Sequence, residues 1–497
     1  MLDVVIFCEG TYPYVAGGVS SWIHMLVKGM PDLKFGLVYL APCRDFERKL
    51  KFQLPDNVVE MVEVYLYDVV QIKGVKTSTV GRDDREAAWA AARRFFTGIV
   101  EGHALDFDEI FKHLVPSPDK PAALSVADMA FSKRSWDIML DLYQSRAPDF
   151  PFTDFFWNWR FICFPLLQLL HAPVPPARVY HTVTTGWSGL LGVVAKLKSG
   201  RPLLLTEHGI YTNERRIEIV KANWLFVERS EGRNVKDFGV LKSMWINLFS
   251  SLGMLCYLQS DKIYTLFNGN RKLQLAAGAP DEKIVILPNG VRIDPSAQRT
   301  RTRKMGDPFR IGFVGRVVPI KDVKTLIQAC NIVVASLPHT EIFIIGPTEE
   351  DEDYFHECQS LTSTLGLEQN LRFLGPQNVK EWYPNLDVQV LTSVSEGQPL
   401  VILEGFCYAL PCVSTDVGAC SELILGREGP DAACGPAGLI TRVGAPSDTA
   451  AALLQLASDP EKAEAMGRAG QQRVKEFYDL EDLLKGYHEI YTEAMKV

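Results

Sequence analysis

The stretch Ser395-Glu396-Gly397-Gln398-Pro399-Leu400-Val401-Ile402-Leu403-Glu404 sets two carboxylates around a small loop and a helix start. Gly397 lets backbone N–H groups approach a ligand. Glu404 falls about one turn into the helix, on the ligand side if Val401, Leu403 and Phe406 face a sheet. A carboxylate there can accept two hydrogen bonds from a diol such as a ribose. Gly315-Arg316-Val317-Val318-Pro319-Ile320-Lys321-Asp322 puts an arginine and a lysine on a loop that opens a helix. The guanidinium fork, the compact ammonium and the helix N-terminus all favour one anion, such as a phosphate. Leu203-Leu204-Leu205-Thr206-Glu207-His208-Gly209 carries a histidine just past a strand, where βα folds keep reactive groups. Gly17 and Gly18 precede a helix and can bring N–H groups against a phosphate, although the full G-x-G-x-x-G fingerprint is missing. Taken singly, each stretch also reads as ordinary structure: a solvated βα loop, a helix-start glutamate with an unrelated surface glutamate, a structural histidine, a tight turn.

The elements around these residues alternate. Leu2 to Phe7 is a short apolar run, the glycine loop follows, and Val19 to Met30 has apolar residues at helical spacing. Strand, glycine loop and helix are the first unit of a doubly wound α/β domain. Phe35 to Leu40 reads as the second strand and residues 55–70 as further strand. Residues 83–115 and 121–148 read as helical and do not fit a tight βα repeat, which predicts a helical insertion at about 75–170. Strand signals return at 179–181, 202–206, 262–266 and 283–288, with a helical stretch at 214–250.

Residues 295–308 (PSAQRTRTRKMGDP) are polar, basic and bounded by proline, as a linker would be. A second alternation follows. Strands are predicted at 309–314, 341–345, 371–374, 388–391 and 411–414, and helices at 322–337, 352–365, 400–409 and 447–458. These strands are short apolar runs without alternation, the pattern of buried parallel strands. The reading is therefore α/β: two doubly wound Rossmann-like domains, 1–294 with the insertion and 295–478. They would face a central cleft, with an amphipathic helix in the tail, 479–497, packing back on the first domain.

The bulk composition agrees with this class. A chain of 497 residues is too long for one core. Its 47% hydrophobic and 23% charged residues are those of a globular protein. A net charge of −8 argues against a nucleic-acid surface. The ten cysteines form no Cys-x-x-Cys pair, which removes support for a zinc ribbon or a thioredoxin-like site. The chain enters a strand at once, without a basic n-region and an apolar h-region, so no signal peptide is expected. The apolar stretch Phe161 to Ala172 is too short to span a bilayer of about 30 Å. A reducing, cytoplasmic setting is the expectation.

Together the four segments resemble the retaining glycosyltransferases of family 4, which have the GT-B fold. The second half carries the resemblance on the Arg316…Lys321 loop, on Asn370-Leu371-Arg372-Phe373-Leu374-Gly375 and on the Glu396/Glu404 pair. The first half resembles the PelF glycosyltransferases of Pel exopolysaccharide synthesis on FCEGTYPYVAGGVSSWIHML, on LLLTEHGIYTNERR and on the helical insertion. The resemblance implies that Gly17 and Gly18 face the donor diphosphate and the acceptor, and that Arg316 and Lys321 hold the diphosphate as it leaves. It implies that Glu396 contacts the sugar ring and that the backbone of Gly397, Gln398, Pro399 and Leu400 contacts its hydroxyls. Glu404 would bind the ribose, Arg372, Phe373, Leu374 and Gly375 would lie by the nucleobase, and His208 would sit near the reaction centre.

The reaction so implied is transfer of a sugar from a UDP-sugar, UDP-glucose or a UDP-N-acetylhexosamine, to a growing exopolysaccharide with retention at the anomeric carbon. No cofactor is implied beyond that co-substrate. No metal is implied either, since the two cations can neutralise the leaving group. Inner-membrane subunits of Pel synthesis and export are the implied partners of a chain that is not itself transmembrane. A non-catalytic nucleotide-sugar-binding subunit, and a phosphorylase or epimerase on the same architecture, stay open as alternatives.

Overall fold

The computed structural model describes residues 1–44, 49–67, 81–103, 105–115, 121–222, 239–297, 299, 301–304 and 306–497. It divides into two compact units. Unit 1 comprises Met1–Thr265, Arg271–Val285 and Tyr487–Val497, and unit 2 comprises Leu266–Asn270 and Ile286–Gly486.

Unit 1 begins with β1 (Leu2–Glu9), α1 (Gly18–Lys28), β2 (Phe35–Ala41) and β3 (Val58–Tyr65). Five helices follow: α2 (Arg82–Glu101), α3 (Phe107–Leu114), α4 (Val126–Phe131), α5 (Lys133–Arg146) and α6 (Phe152–His171). The alternation resumes with β4 (Ala177–Thr182), α7 (Trp187–Ser199), β5 (Leu203–Glu207), α8 (Tyr211–Lys221), α9 (Gly239–Gln259), β6 (Lys262–Thr265), α10 (Asn268–Ala276) and β7 (Ile284–Ile286). The sheet order is β3-β2-β1-β4-β5-β6-β7, parallel from β3 through β6. All seven residues of β2 are buried, which explains its unbroken apolar run. β3, at the sheet edge, exposes Val59 and Glu60. Helix α1 buries Trp22, Ile23, Leu26 and Val27 as one face.

Unit 2 contains β8 (Phe309–Val314), α11 (Val323–Ser336), β9 (Thr340–Ile345), α12 (Glu352–Thr364), β10 (Leu371–Gly375), α13 (Val379–Trp382), β11 (Val388–Leu391) and α14 (Leu400–Cys407). It continues through β12 (Cys412–Thr415), α15 (Cys420–Leu425), α16 (Pro430–Ala433), β13 (Gly438–Thr441), α17 (Pro446–Ser458), α18 (Pro460–Phe477) and α19 (Leu480–Ala494). The parallel sheet runs β10-β9-β8-β11-β12-β13. The predicted class, two doubly wound parallel sheets with extra helices in the first, is the one observed.

Particular expectations change. The basic stretch 295–308 does not behave as a free linker. Arg299 and Arg301 converge on Asp387 at 3.1 and 3.2 Å, and Arg303 donates to the Ala457 carbonyl at 2.6 Å. The unit boundary falls earlier, between Val285 and Ile286. The predicted helical stretch 214–250 divides into α8 and α9, and residues 223–238 between them lie outside the described set, as does part of the expected strand 55–70. Sequence periodicity did not mark β13, α15 or α18. Helix α18 brings in Arg473, a fully buried cation that donates to Asp431 at 2.6 Å and to the Leu423, Ile424 and Gly435 carbonyls. Among the described residues no helix is long and apolar enough to cross a membrane.

From Tyr487 onward α19 belongs to unit 1, where it makes polar contacts in an apolar setting. Nδ1 of His181 lies 2.6 Å from the Tyr491 hydroxyl, and its Nε2 lies 2.9 Å from Thr206 Oγ1, which in turn meets the Tyr487 hydroxyl at 3.0 Å. Burial, with the neighbouring His208 second, pushes the His181 pKa down to about 3. The imidazole is therefore neutral when folded, whereas an unfolded chain takes up its proton near pH 6.5. Its contribution to stability is complete above about pH 6.5 and is lost as pH falls from there toward about 3. At pH 5 the loss from His181 alone is about 2 kcal/mol. Urea unfolding of the full chain should show the wild type weakening over this range and His181→Gln, with a lower starting stability, weakening less.

Candidate functional site

In unit 2 the strand order reverses between β8 and β11, so the loops leaving these two strands part to opposite faces and open a crevice at their carboxyl ends. The Arg316–Lys321 loop follows β8 and the Glu396–Leu400 loop follows β11. Backbone contacts join them. Val394 N–H donates to the Ile320 carbonyl at 2.9 Å, and the Thr392 hydroxyl donates to the Lys321 and Asp322 carbonyls at 3.2 and 3.0 Å. Asp322 adopts a left-handed φ of 45° and caps α11, its carboxylate accepting from Thr325 N–H at 3.2 Å and from the Thr325 hydroxyl at 2.6 Å. That kink turns Lys321 toward the crevice.

The result is a half-buried charge pair. Lys321 Nζ and Ser393 Oγ both donate to Glu396 Oε1, each at 2.5 Å, with side-chain exposures of 17% for Lys321 and 10% for Glu396. Such shielding makes the pair stronger than a surface one. Arg316 is placed differently from the expectation that it and Lys321 share one anion. Its Nη1 donates to both Glu350 carboxylate oxygens, at 2.5 and 2.7 Å, and both partners are about half exposed. A solvated pair of this kind opens at little cost.

The loop after β11 is itself clamped. The Gly397 carbonyl accepts from Ala419 N–H at 2.8 Å. The backbone of Gln398 was the expected ligand contact, and its side chain is engaged by Asn289: Oε1 accepts from Asn289 N–H at 2.7 Å and Nε2 donates to the Asn289 carbonyl at 3.0 Å. Only its backbone is left for a ligand. Pro399 occupies the N-cap of α14, no side chain caps that end and no acid lies in the first turn, so the helix start favours an anion or hydroxyl oxygens. Leu400 begins the helix and is exposed. Ile402, Leu403 and Phe406 are buried, and Glu404 is half-buried and accepts from the Tyr383 hydroxyl at 3.3 Å. Burial raises the Glu404 pKa, against the lowering effects of Tyr383 and of Lys380.

Strand β10 carries Arg372, Phe373, Leu374 and Gly375 at the same sheet edge. Arg372 is exposed, Phe373 and Leu374 are half-buried, and the Phe373 ring meets Phe355 edge-on at 5.3 Å. Gly375 has a φ of 65° at a register shift of the strand.

In unit 1 the order reverses between β1 and β4. Gly17 and Gly18 stand at the start of α1, and a Cβ at either would meet nothing within 4 Å. No side chain caps that end. His208 follows β5 with its ring 4.7 Å from that of Trp22, edge to face. Burial lowers its pKa to about 4, so it is a neutral imidazole at physiological pH. The sequence reading passed over Glu9 at the end of β1. Its carboxylate accepts from Ser188 N–H at 3.0 Å and from the Tyr211 hydroxyl.

Also missed were Ser393, Tyr383 and Gly418. A glycine just past a predicted strand, as in Asp416-Val417-Gly418, was the available signal for the last. A Cβ on Gly418 would lie 2.2 Å from the Glu396 carbonyl oxygen and 2.4 Å from that of Gly397, and its φ is 54°. Among the described residues no group of three or more His, Cys, Asp or Glu side chains could hold a metal ion.

Gly418→Ala should therefore cost about 2–4 kcal/mol and raise amide exchange across residues 393–400, through left-handed strain and a clash that moves the loop. Gly444→Ala is the control, since it has a similar φ of 64° but open space around it, and should cost only about 1–2 kcal/mol. Urea midpoints and exchange rates for the two variants decide this; equal effects would remove the clash from the account.

Comparison with known proteins places these features. The family described as "Domain of unknown function (DUF3492)" matches residues 2–282, and the family described as "Glycosyl transferases group 1" matches residues 295–473. The chain is 27% identical to a D-inositol 3-phosphate glycosyltransferase of Kribbella flavida over 40% of its own length and 49% of that protein. It is 24% identical to the capsular polysaccharide biosynthesis glycosyltransferase CapM of Staphylococcus aureus, over 62% of this chain and 75% of that one. The chain thus spans about half the length of the first curated relatives it matches. The crystal structure of HepE from Anabaena with UDP and glucose aligns over 99% of this chain and all of that one, with a TM-score of 0.55 and 14% identity. Sucrose-phosphate synthase from Thermosynechococcus elongatus aligns over 99% and 98%, with a TM-score of 0.56 and 12% identity. At such identities the likeness is one of fold.

Proposed function

The chain belongs to the DUF3492 family and carries a glycosyl transferases group 1 segment in its second half, and from that premise we propose that it is a glycosyltransferase using a UDP-sugar. The observation that carries the proposal is the Lys321–Glu396 pair at the β8/β11 reversal, inside the matched segment. A cation and a carboxylate in one half-buried crevice suit a substrate that brings an anionic diphosphate and a neutral polyol together. The diphosphate takes Lys321 from Glu396, and Glu396 turns its freed oxygen to sugar hydroxyls. Arg316 leaves Glu350 and adds its fork to the phosphates. Glu404, half-buried on α14, accepts from the ribose hydroxyls, and β10 residues 372–375 lie against the base. HepE, with UDP and glucose bound in its crystal structure, supports the choice of uridine nucleotide.

Transfer proceeds with retention. The sugar departs from the diphosphate through an oxocarbenium-like state, and the leaving phosphate oxygen takes the proton of the incoming hydroxyl on the same face. Lys321, Arg316 and the uncapped start of α14 hold the developing negative charge, a preorganised electrostatic role that needs no divalent ion. The acceptor is a growing exopolysaccharide. We assign the chain to Pel synthesis, acting in the cytoplasm and recruited to the inner-membrane synthesis and export subunits. The resemblance of residues 7–26 and 203–216 supports that assignment, and the capsule-forming relative CapM supports the broader one to polysaccharide synthesis.

UDP release from UDP-glucose, UDP-N-acetylglucosamine and UDP-N-acetylgalactosamine tests the proposal. Lys321→Ala and Arg316→Ala should each lower kcat about 10²–10³-fold. Glu404→Gln should act mainly on KM for the donor. Full activity in all three variants overturns the site, and tight UDP binding without turnover in the presence of polysaccharide acceptors assigns a binding subunit instead.

A further inference from the structure

The helices between β3 and β4 contain a cavity of about 400 Å³ where the α4–α5 junction meets α6. It opens to solvent and has the size of a ligand pocket. Met129, Met139, Phe156, Trp159, Cys163 and Leu167 form its apolar wall. Two cations, Lys133 and Arg160, stand on its lining, and no acidic residue does.

Lys133 is exposed, whereas Arg160 is partly withdrawn from water. The Arg160 guanidinium lies over the Phe164 ring at 4.2 Å and over Phe156 at 5.4 Å. Burial pulls its pKa down. No ion pair or hydrogen bond engages it among the described residues. A cation withdrawn from water without a counter-charge is costly, and an anion relieves that cost. Lys133 is the first residue of α5, whose opening turn carries Lys133 and Arg134 and no acid. This inverts the usual preference for negative charge at a helix N-terminus. Arg134 is matched by Glu86, whereas Lys133 has no ion-pair partner among the described residues. Around the mouth, Phe131 is 61% and Trp136 45% exposed, and farther along α6 Trp157 is 53% and Phe161 42% exposed. Soluble surfaces rarely gather large aromatics in this way, and aromatic side chains beside cations are the pattern of a lipid interface.

We infer that this cavity binds an anionic amphiphile, its apolar chain between α5 and α6 and its phosphate or other anionic head held by Lys133, Arg160 and the start of α5. The chemistry is shared by a phospholipid of a bilayer and by a lone lipid phosphate. The site is independent of the sugar-transfer residues, so it stands or falls apart from that reading.

The test uses the full chain and calorimetry with dihexanoyl phosphatidic acid, dihexanoyl phosphatidylcholine and inorganic phosphate. Saturable binding is expected for phosphatidic acid, at least about tenfold weaker binding for phosphatidylcholine, and none at comparable concentration for phosphate. Lys133→Gln with Arg160→Gln should weaken phosphatidic acid binding by at least about tenfold while leaving the circular dichroism and the thermal midpoint unchanged. Leu167→Phe, which narrows the apolar wall and keeps both cations, should weaken binding. No saturable binding to the wild type, equal affinity for the two lipids, or unchanged affinity in the double-charge variant overturns the inference. Sedimentation with vesicles of phosphatidylcholine and phosphatidylglycerol separates the sources. Co-sedimentation lost in Trp157→Ser with Phe161→Ser, which lie outside the cavity wall, identifies a bilayer; monomer binding without co-sedimentation identifies a lone lipid phosphate.

Discussion

Lys321 and Glu396 are far apart in sequence and share a hydrogen bond in a partly dehydrated crevice. Neither charge could be left alone there without a large desolvation cost, so each needs the other until something replaces it. The loops that carry them are held to match. Thr392 bridges to the Lys321 and Asp322 carbonyls, Val394 ties to Ile320, and Gly418 presses on the backbone of Glu396 and Gly397. The strand reversal between β8 and β11 makes this meeting geometrically available, and the glycine and the strained Asp322 make it close.

A charge pair held in this way is a prepared anion site. Its lysine is already desolvated and oriented, so in the proposed function an incoming diphosphate would exchange one carboxylate for several phosphate oxygens at little cost. Arg316 behaves in the opposite manner, being held on Glu350 in solvent, where exchange is inexpensive. The two cations therefore differ in readiness. In the proposed function Lys321 is built in, whereas Arg316 is recruited.

Unit 1 uses burial for a different end. Its strand-end histidines are kept neutral, and its carboxylates Glu9 and Glu207 are satisfied by hydroxyls, amides and backbone N–H groups in place of cations. The helical segment between β3 and β4 departs from this pattern, since it leaves the partly buried Arg160 without a counter-charge beside an open cleft. That combination has no structural rationale within the unit itself, and it separates this segment from the sheet-based site.

The sequence by itself determined the alternation of strands and helices, because buried parallel strands must be apolar runs and the helices between them must show one apolar face. It also marked the loops where glycines, cations and carboxylates cluster at strand ends. Tertiary structure alone decided how those side chains are shared. Nothing local tells Arg316 from Lys321, yet one pairs with Glu350 in solvent and the other with Glu396 in a crevice. Gln398 carries no sequence mark of its double bond to Asn289, and the basic stretch 295–308 resembles a linker until Asp387 gathers its arginines. Pairing of this kind depends on what the other strands bring to the same sheet edge, and distance along the chain does not encode it.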